Sequence, residues 1–183
     1  MRLSTPRIAP LPEADWTEAH KELAAPFQKR YGRVFNVLTT LMRHMPLLQS
    51  WNGFATHIMG TSSLDPRHRE MLIMRVAWAT RSDYEWGQHV QMSAAAGMTQ
   101  DDHERIKQGA GADGWTELEA TLLRAADELL DDTMIETETW ETLSDYLSAP
   151  QMIDVIFTVG QYNMLAMALN SLGVQREEGV PGF

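Results

Sequence analysis

Apolar side chains recur every three or four positions along almost the whole chain, and nowhere do they alternate residue by residue long enough to make a strand. Helices are therefore predicted throughout, roughly seven or eight of them. An arm over residues 1–15, carrying Pro6, Pro10 and Pro12, precedes a helix near Trp16 to Lys29. Phe35 to Arg43 and Pro46 to Met59 form a pair divided at Met45-Pro46, because proline opens a helix more readily than it continues one. Asp65 then caps, and Pro66 opens, a helix on which Glu70, Ile73, Ala77 and Arg81 share one face. A further helix begins at Ser82 and lines up Glu85, Trp86, His89, Ser93 and Ala96. Thr99 caps a short acidic helix to Gln108, the glycine-rich stretch 109–114 marks a loop, and Thr116 to Leu130 repeats leucine and alanine at helical spacing. Trp140 to Leu147 and Pro150 to Leu172 complete the set.

The last helix has Asp154 as its only ionised group between Gln151 and Ser171. A helix apolar around its circumference belongs to the centre of a domain or to a subunit contact, so burial on most sides and self-association are expected. Tyr162 and Asn163 interrupt that run and need hydrogen-bond partners.

The pattern also sets ionisable groups among core positions. Glu70 lies in an apolar stripe, and Glu85 and His89, an i, i+4 pair, are close enough to touch. Burial raises a carboxyl pKa and a nearby carboxylate raises that of an imidazole, moving both toward the range where proton transfer works best. Simpler roles compete. Ser82-x-x-Glu85 reads as a capping box, Glu70 can pair with Arg67 or Arg81, and His89 can be a hydrogen-bonded core residue. Glu70, Glu85 and His89 also offer two carboxylates and an imidazole to zinc or manganese. The other histidines are scattered, however, and no metal is expected.

Composition fits one helical domain over 1–183: the chain has 183 residues, 44% of them hydrophobic, enough for a single core. Fifteen basic and 25 acidic residues leave a formal charge of −10, which disfavours nucleic acid and anionic membrane as partners. Arg67, Arg69, Arg75 and Arg81 are a local basic exception, although Arg69 and Arg75 are expected to pair with acids. Met1 to Pro12 lacks the apolar run of a signal peptide and no segment approaches twenty apolar residues, so a cytoplasmic protein is expected. Twelve methionines and six tryptophans suit a core or an apolar pocket.

Several segments together resemble the carboxymuconolactone decarboxylase family, whose fold is shared with the alkylhydroperoxidase D proteins. They are Arg67-His68-Arg69-Glu70, Tyr84-Glu85 through His89, and Ala94 to Met98. Arg7 to Leu11, Gly32 to Val37, His44 to Leu48, and Gln161 to Asn163 through Asn170 to Gly173 are similar to its longer members. The resemblance implies an all-α, single-domain bundle of the alkylhydroperoxidase D-like type that assembles as a trimer or hexamer, with a dimer as the smaller alternative. In peroxidase-type members a C-x-x-C pair falls where this chain has Ser82 and Glu85, and the chain contains no cysteine. Thiol peroxidase chemistry is thereby excluded, because a serine hydroxyl cannot form the disulfide that stores the oxidising equivalents.

The expected activity is a decarboxylase-like, acid/base reaction on a small lactone, carbonyl or enolisable acid, with no cofactor because the substrate supplies the electron sink. His89 would transfer the proton, Glu85 orient or share it, and Glu70 fix the imidazole or serve as second carboxylate. Ser82 or an arginine, Arg67 or Arg81, would bind substrate oxygen, and Tyr84 and Trp86, with Trp78, would wall the pocket. The alternative is a noncatalytic helical oligomer that binds a hydrophobic small molecule or a protein. A closed seam favours the alternative, and a pocket reaching His89 favours the enzyme.

Overall fold

The computed structural model describes residues 2–183, and among the described residues every regular element is helical. Nine α-helices follow one another there. They are α1 (Glu18–Tyr31), α2 (Asn36–Leu41), α3 (Met45–Thr56), α4 (Pro66–Ala79), α5 (Asp83–Ala95), α6 (Gln100–Gln108), α7 (Glu117–Asp131), α8 (Thr137–Ser144) and α9 (Ala149–Leu172). Each of them falls on a segment that the apolar spacing marks, so the expectation of seven or eight is one short of the segments themselves; the shortest, α2 and α8, have six and eight residues. A 3-10 turn over Met42–His44 joins α2 to α3, and α3 runs into a π-helical turn at His57–Thr61.

Local chemistry explains most of the boundaries. The Asp65 carboxylate accepts from the Arg67 amide at 2.8 Å with Pro66 in the first turn of α4, and Thr99 and Thr116 each close a capping box, with Asp102 and Glu119. Gly173 ends α9 at φ 69°, a left-handed conformation in which glycine pays no steric penalty.

α4 is the central helix and packs against α5, α6, α7 and α9. Met71, Leu72, Ile73, Met74, Val76 and Ala77 are all fully buried, so α4 divides the interior instead of covering one side of it. Leu72, Ile73 and Val76 meet Leu122 and Ala126 of α7 and Val155 and Val159 of α9, while Met71 and Met74 face Trp86, Ile106 and Leu123. A third cluster gathers α1 to α3 around Ala24, Leu38, Met42 and Leu48, and this layer covers the α5/α9 side of the core.

The expectation for α9 needs two corrections. The helix is long and apolar enough to cross a membrane by length and composition, contrary to the reading that no segment comes near that limit, and half of that stretch is buried inside the fold. It is also not covered on most sides. Ile153, Phe157, Met164 and Met167 are 49–61% exposed on a single face, with Gly160 bare between them.

Candidate active site

Every third or fourth residue of α5 looks toward α9 and the α1 to α3 layer, and between them lies a pocket of about 250 Å³. α5 contributes Tyr84, Glu85, Gln88, His89 and Met92, and α9 contributes Gln161, Tyr162, Leu165 and Leu169. Phe27, Tyr31, Phe35 and Trp51 close the other side. Among the described residues that line it there is no lysine or arginine, and Glu85 is the single acid.

His89 enters this pocket already oriented. Its Nδ1 lies 2.7 Å from Oε2 of Glu70, which sits behind the ring on α4 and is 1% exposed. Burial works to raise the Glu70 carboxyl, but the charge and hydrogen bond of His89, followed by those of Arg69, outweigh it and leave the group below its ordinary value. An ionised Glu70 accepts from Nδ1–H, which leaves Nε2 as the ring nitrogen available for proton transfer. The Tyr162 ring packs edge-on against the imidazole at 5.0 Å between centroids, and its hydroxyl donates to Met59 Sδ at 2.9 Å, so the histidine is fenced on a second side.

Glu85 is as buried as Glu70 but differs from it in having no partner. It is 2% exposed, both carboxyl oxygens lack a hydrogen-bond partner, and burial alone pushes its pKa well above the ordinary range. Burial thus favours its protonated, uncharged form. The surroundings push the two glutamates beside one histidine in opposite directions, an arrangement that separates acid from base by environment. The i, i+4 spacing does bring Glu85 and His89 onto one pocket wall, but the hydrogen bond to the imidazole comes from Glu70 across the helix interface.

The remaining candidates fall elsewhere. Ser82 is fully buried at the start of α5, makes no capping hydrogen bond, and is not part of the pocket wall, so the S-x-x-E capping box does not form. Tyr84 does line the pocket with its ring. Its hydroxyl is engaged, donating to Glu177 at 2.8 Å and accepting from the Val37 amide at 3.2 Å, which ties α2 down over α5. Trp86 points away, stacked near Trp78 and Phe183. Arg81, at φ 53° in the turn after α4, borders a shallow surface cleft with Arg75 and Lys107. Arg69 and Arg75 pair with Glu70 and Asp127 as expected, but with only 13% and 15% of their side chains exposed. Among the described residues no three His, Cys, Asp or Glu side chains converge on one point that would hold a metal ion.

Arg67 has a structural assignment. Its Nε donates to Glu119 at 2.8 Å and its Nη2 to Asp102 at 3.0 Å, the same two acids that complete the capping boxes of α7 and α6. One guanidinium thus joins two helix N-termini to α4. Burial favours the neutral form of Asp102, yet the Arg67 hydrogen bond and the Thr99 amide hold it well below the carboxylate range. Arg67→Ala leaves the Glu119 carboxylate with only its Thr116 cap while Asp102 keeps Arg105 and Thr99, and urea titration is expected to show a loss of roughly 2 kcal/mol. A loss under about 1 kcal/mol would mean that the pair behaves as an exposed one.

Gln161 is the pocket residue that sequence reasoning missed. It is 3% exposed and its Oε1 has no partner. The signal was present, since Gln161, Leu165 and Leu169 are spaced at four and form one wall.

Comparison with known proteins fits this geometry. The sequence from Pro46 onward to Glu128 matches the model of the carboxymuconolactone decarboxylase family. Residues 46–128 are similar to that family. The carboxymuconolactone decarboxylase segment runs from α3 to α7 and holds Glu70, Glu85 and His89, whereas the α9 side of the pocket lies beyond it. An uncharacterised peroxidase-related protein with an alkylhydroperoxidase D core from Ralstonia eutropha JMP134 superposes with a TM-score of 0.83 at 16% identity, covering 93% of this chain and 92% of that one. A peroxidase-related protein from Silicibacter sp. TM1040 gives 0.79 at 19% identity over 98% and 93%. A debrominase solved with 2,3,4-tribromopyrrole gives 0.79 at 14% over 96% and 94%. These likenesses show the fold, an all-α alkylhydroperoxidase D-like bundle. No curated protein matches the chain by sequence.

Proposed function

We propose that this chain is a cofactor-independent acid/base enzyme in which His89 moves a proton to and from a small carbonyl compound held in the α5/α9 pocket. The observation that carries the reading is the Glu70 to His89 contact at 2.7 Å, with the imidazole forming part of the wall of an apolar pocket. A core histidine with only a structural role has no need of such a cavity. Nδ1–H is held by the ionised carboxylate, Nε2 accepts the proton from carbon or returns it, and Glu70 stabilises the imidazolium in between. Glu70 is a positioning residue in this scheme and His89 the catalytic one. An apolar enclosure strengthens both effects by excluding water.

The pocket narrows the substrate class. A carboxylate entering it would find no cationic side chain and would have to shed its hydration uncompensated. Neutral lactones and carbonyl compounds are accordingly favoured over enolisable acids; Arg67 is engaged with Asp102 and Glu119, and Arg81 borders a separate surface cleft. A debrominase of the same fold was solved with a small neutral aromatic, consistent with a bundle that encloses such molecules. Deuterium oxide tests the reading: with neutral lactones and enones that bind, the protein is expected to accelerate exchange of the proton alpha to the carbonyl, read by proton NMR. Exchange no faster than without protein, for every compound that binds, would remove the proposal.

The alternative of a noncatalytic binder keeps the pocket but leaves the buried Glu70 and His89 pair without a task. Self-association accompanies either reading. The exposed residues of α9 repeat at intervals of four and three, the spacing of a helix-pairing seam, and carry no charge in a chain of net −10, so two copies meet there without repulsion. Phe157→Glu is expected to reduce the mass measured by light scattering to that of one chain. An unchanged oligomer would place the contact elsewhere, and a wild type already monomeric at micromolar concentration would contradict self-association.

A further inference from the structure

Two polar groups in the pocket have no task within the fold. The two carboxyl oxygens of Glu85 and the Oε1 of Gln161 are each buried and each without a hydrogen-bond partner, on residues of α5 and α9 that border the same cavity. Buried polar atoms are rarely left unpaired, because each costs about 1–3 kcal/mol, and such orphans mark a place where something else supplies the partner. The rest of the wall is aromatic and aliphatic, without lysine or arginine, so the missing partner is neutral and mostly apolar.

We infer that Glu85 and Gln161 form the polar subsite that receives the carbonyl end of an uncharged, ring-sized substrate, with Glu85 donating as a carboxylic acid and the Gln161 amide bonding beside it. This deepens the acid/base reading and rests on it for the meaning of the ligand as a substrate. Burial holds the Glu85 proton in place, and no cation comes near enough to draw it off. A neutral acid hydrogen-bonded to a carbonyl oxygen grips that oxygen more tightly as negative charge develops on it, which is the moment when His89 takes a proton from the adjacent carbon. Selectivity follows from the same pair. A molecule of the same shape without the carbonyl leaves the two groups orphaned, and an anion finds no cation to offset its lost hydration.

Calorimetric titration tests the assignment with three probes: phthalide, a neutral bicyclic lactone; phthalan, the same skeleton lacking the carbonyl; and ortho-toluate, an anion of similar size. The parent is the His89→Ala chain, so that no turnover enters the measurement. Phthalide is expected to bind about tenfold more tightly than either of the others, the equivalent of one good hydrogen bond. Glu85→Gln keeps a donor of the same shape and should hold phthalide within about threefold. Glu85→Leu and Gln161→Leu should each erase most of the preference, with unchanged circular dichroism. Equal binding of phthalide and phthalan, survival of the preference in Glu85→Leu, tightest binding of ortho-toluate, or no binding of any probe would each overturn the inference. Failure of the wild type to exchange deuterium would instead strike the proposed reaction, and it would leave the lactone preference standing.

Discussion

His89→Ala is expected to lower kcat/KM for a processed carbonyl substrate by about 10²–10⁴-fold, with most of the loss in kcat, because a positioned proton donor or acceptor contributes on that scale. The pocket keeps its aromatic walls in this variant, so substrate binding should change little. Glu70→Gln sharpens the point. An amide in that position can turn its NH2 toward Nδ1 and force the proton onto Nε2, presenting the pocket with a donor where the mechanism needs an acceptor. Its loss should approach that of His89→Ala although Glu70 touches no substrate. Glu70→Asp, which keeps the charge but shortens the reach, should recover part of the activity. Were Glu70→Gln to retain wild-type kcat, the carboxylate would be a packing element and the imidazole would act alone.

The second large effect concerns Glu85 and runs against the usual cost of mutating a buried residue. Burial raises its folded pKa well above the ordinary 4.5, so below that value both folded and unfolded chains hold the proton and no penalty arises. As pH climbs past it, the unfolded chain releases the proton and the folded chain does not, and stability is withdrawn until the folded pKa is reached. Each pH unit of that interval is worth about 1.4 kcal/mol. Glu85→Gln has the same shape and no proton to hold. Its Tm is expected to match the wild type near pH 4.5 and to exceed it progressively above, with two pH units separating the pair by roughly 5–10 °C. A constant difference across that range would show that Glu85 ionises freely in the folded protein, and the picture of a neutral acid would fall. A buried carboxyl that costs stability once the unfolded chain ionises and makes no hydrogen bond inside the fold is the kind of group that function, not folding, accounts for.

Sequence legibility varied with the range of the interactions. The α4 and α5 pair was readable because Asp65, Pro66 and the 3.6-residue apolar stripe act within a few residues of themselves. Glu70, Glu85 and His89 were readable as a group for the same reason, and Glu70 fixing the imidazole was one of two roles expected for it. That Glu85, the i, i+4 neighbour, makes no hydrogen bond to His89 was not legible, because packing between helices decides it. Ser82 shows the limit of motif reasoning: S-x-x-E fits a capping box, yet neither the Ser82 hydroxyl nor the Glu85 carboxyl bonds to the helix's first amides. Arg67 shows another. Its acids, Asp102 and Glu119, lie 35 and 52 residues away, and only their shared T-x-x-[D/E] pattern hinted at a common role. The aromatic cover from α1 to α3 could not be inferred, because periodicity identifies an apolar face without saying which helix it meets.

The central claim is that a carboxylate-held imidazole offers Nε2 to molecules in the pocket. Nitrogen-15 NMR of histidine-labelled protein tests it most directly. The account predicts that His89 shows a protonated Nδ1 and an unprotonated Nε2, and that saturating phthalide shifts the Nε2 resonance while Glu70→Gln reverses the tautomer. A His89 spectrum indifferent both to the lactone and to the loss of the Glu70 charge would contradict it.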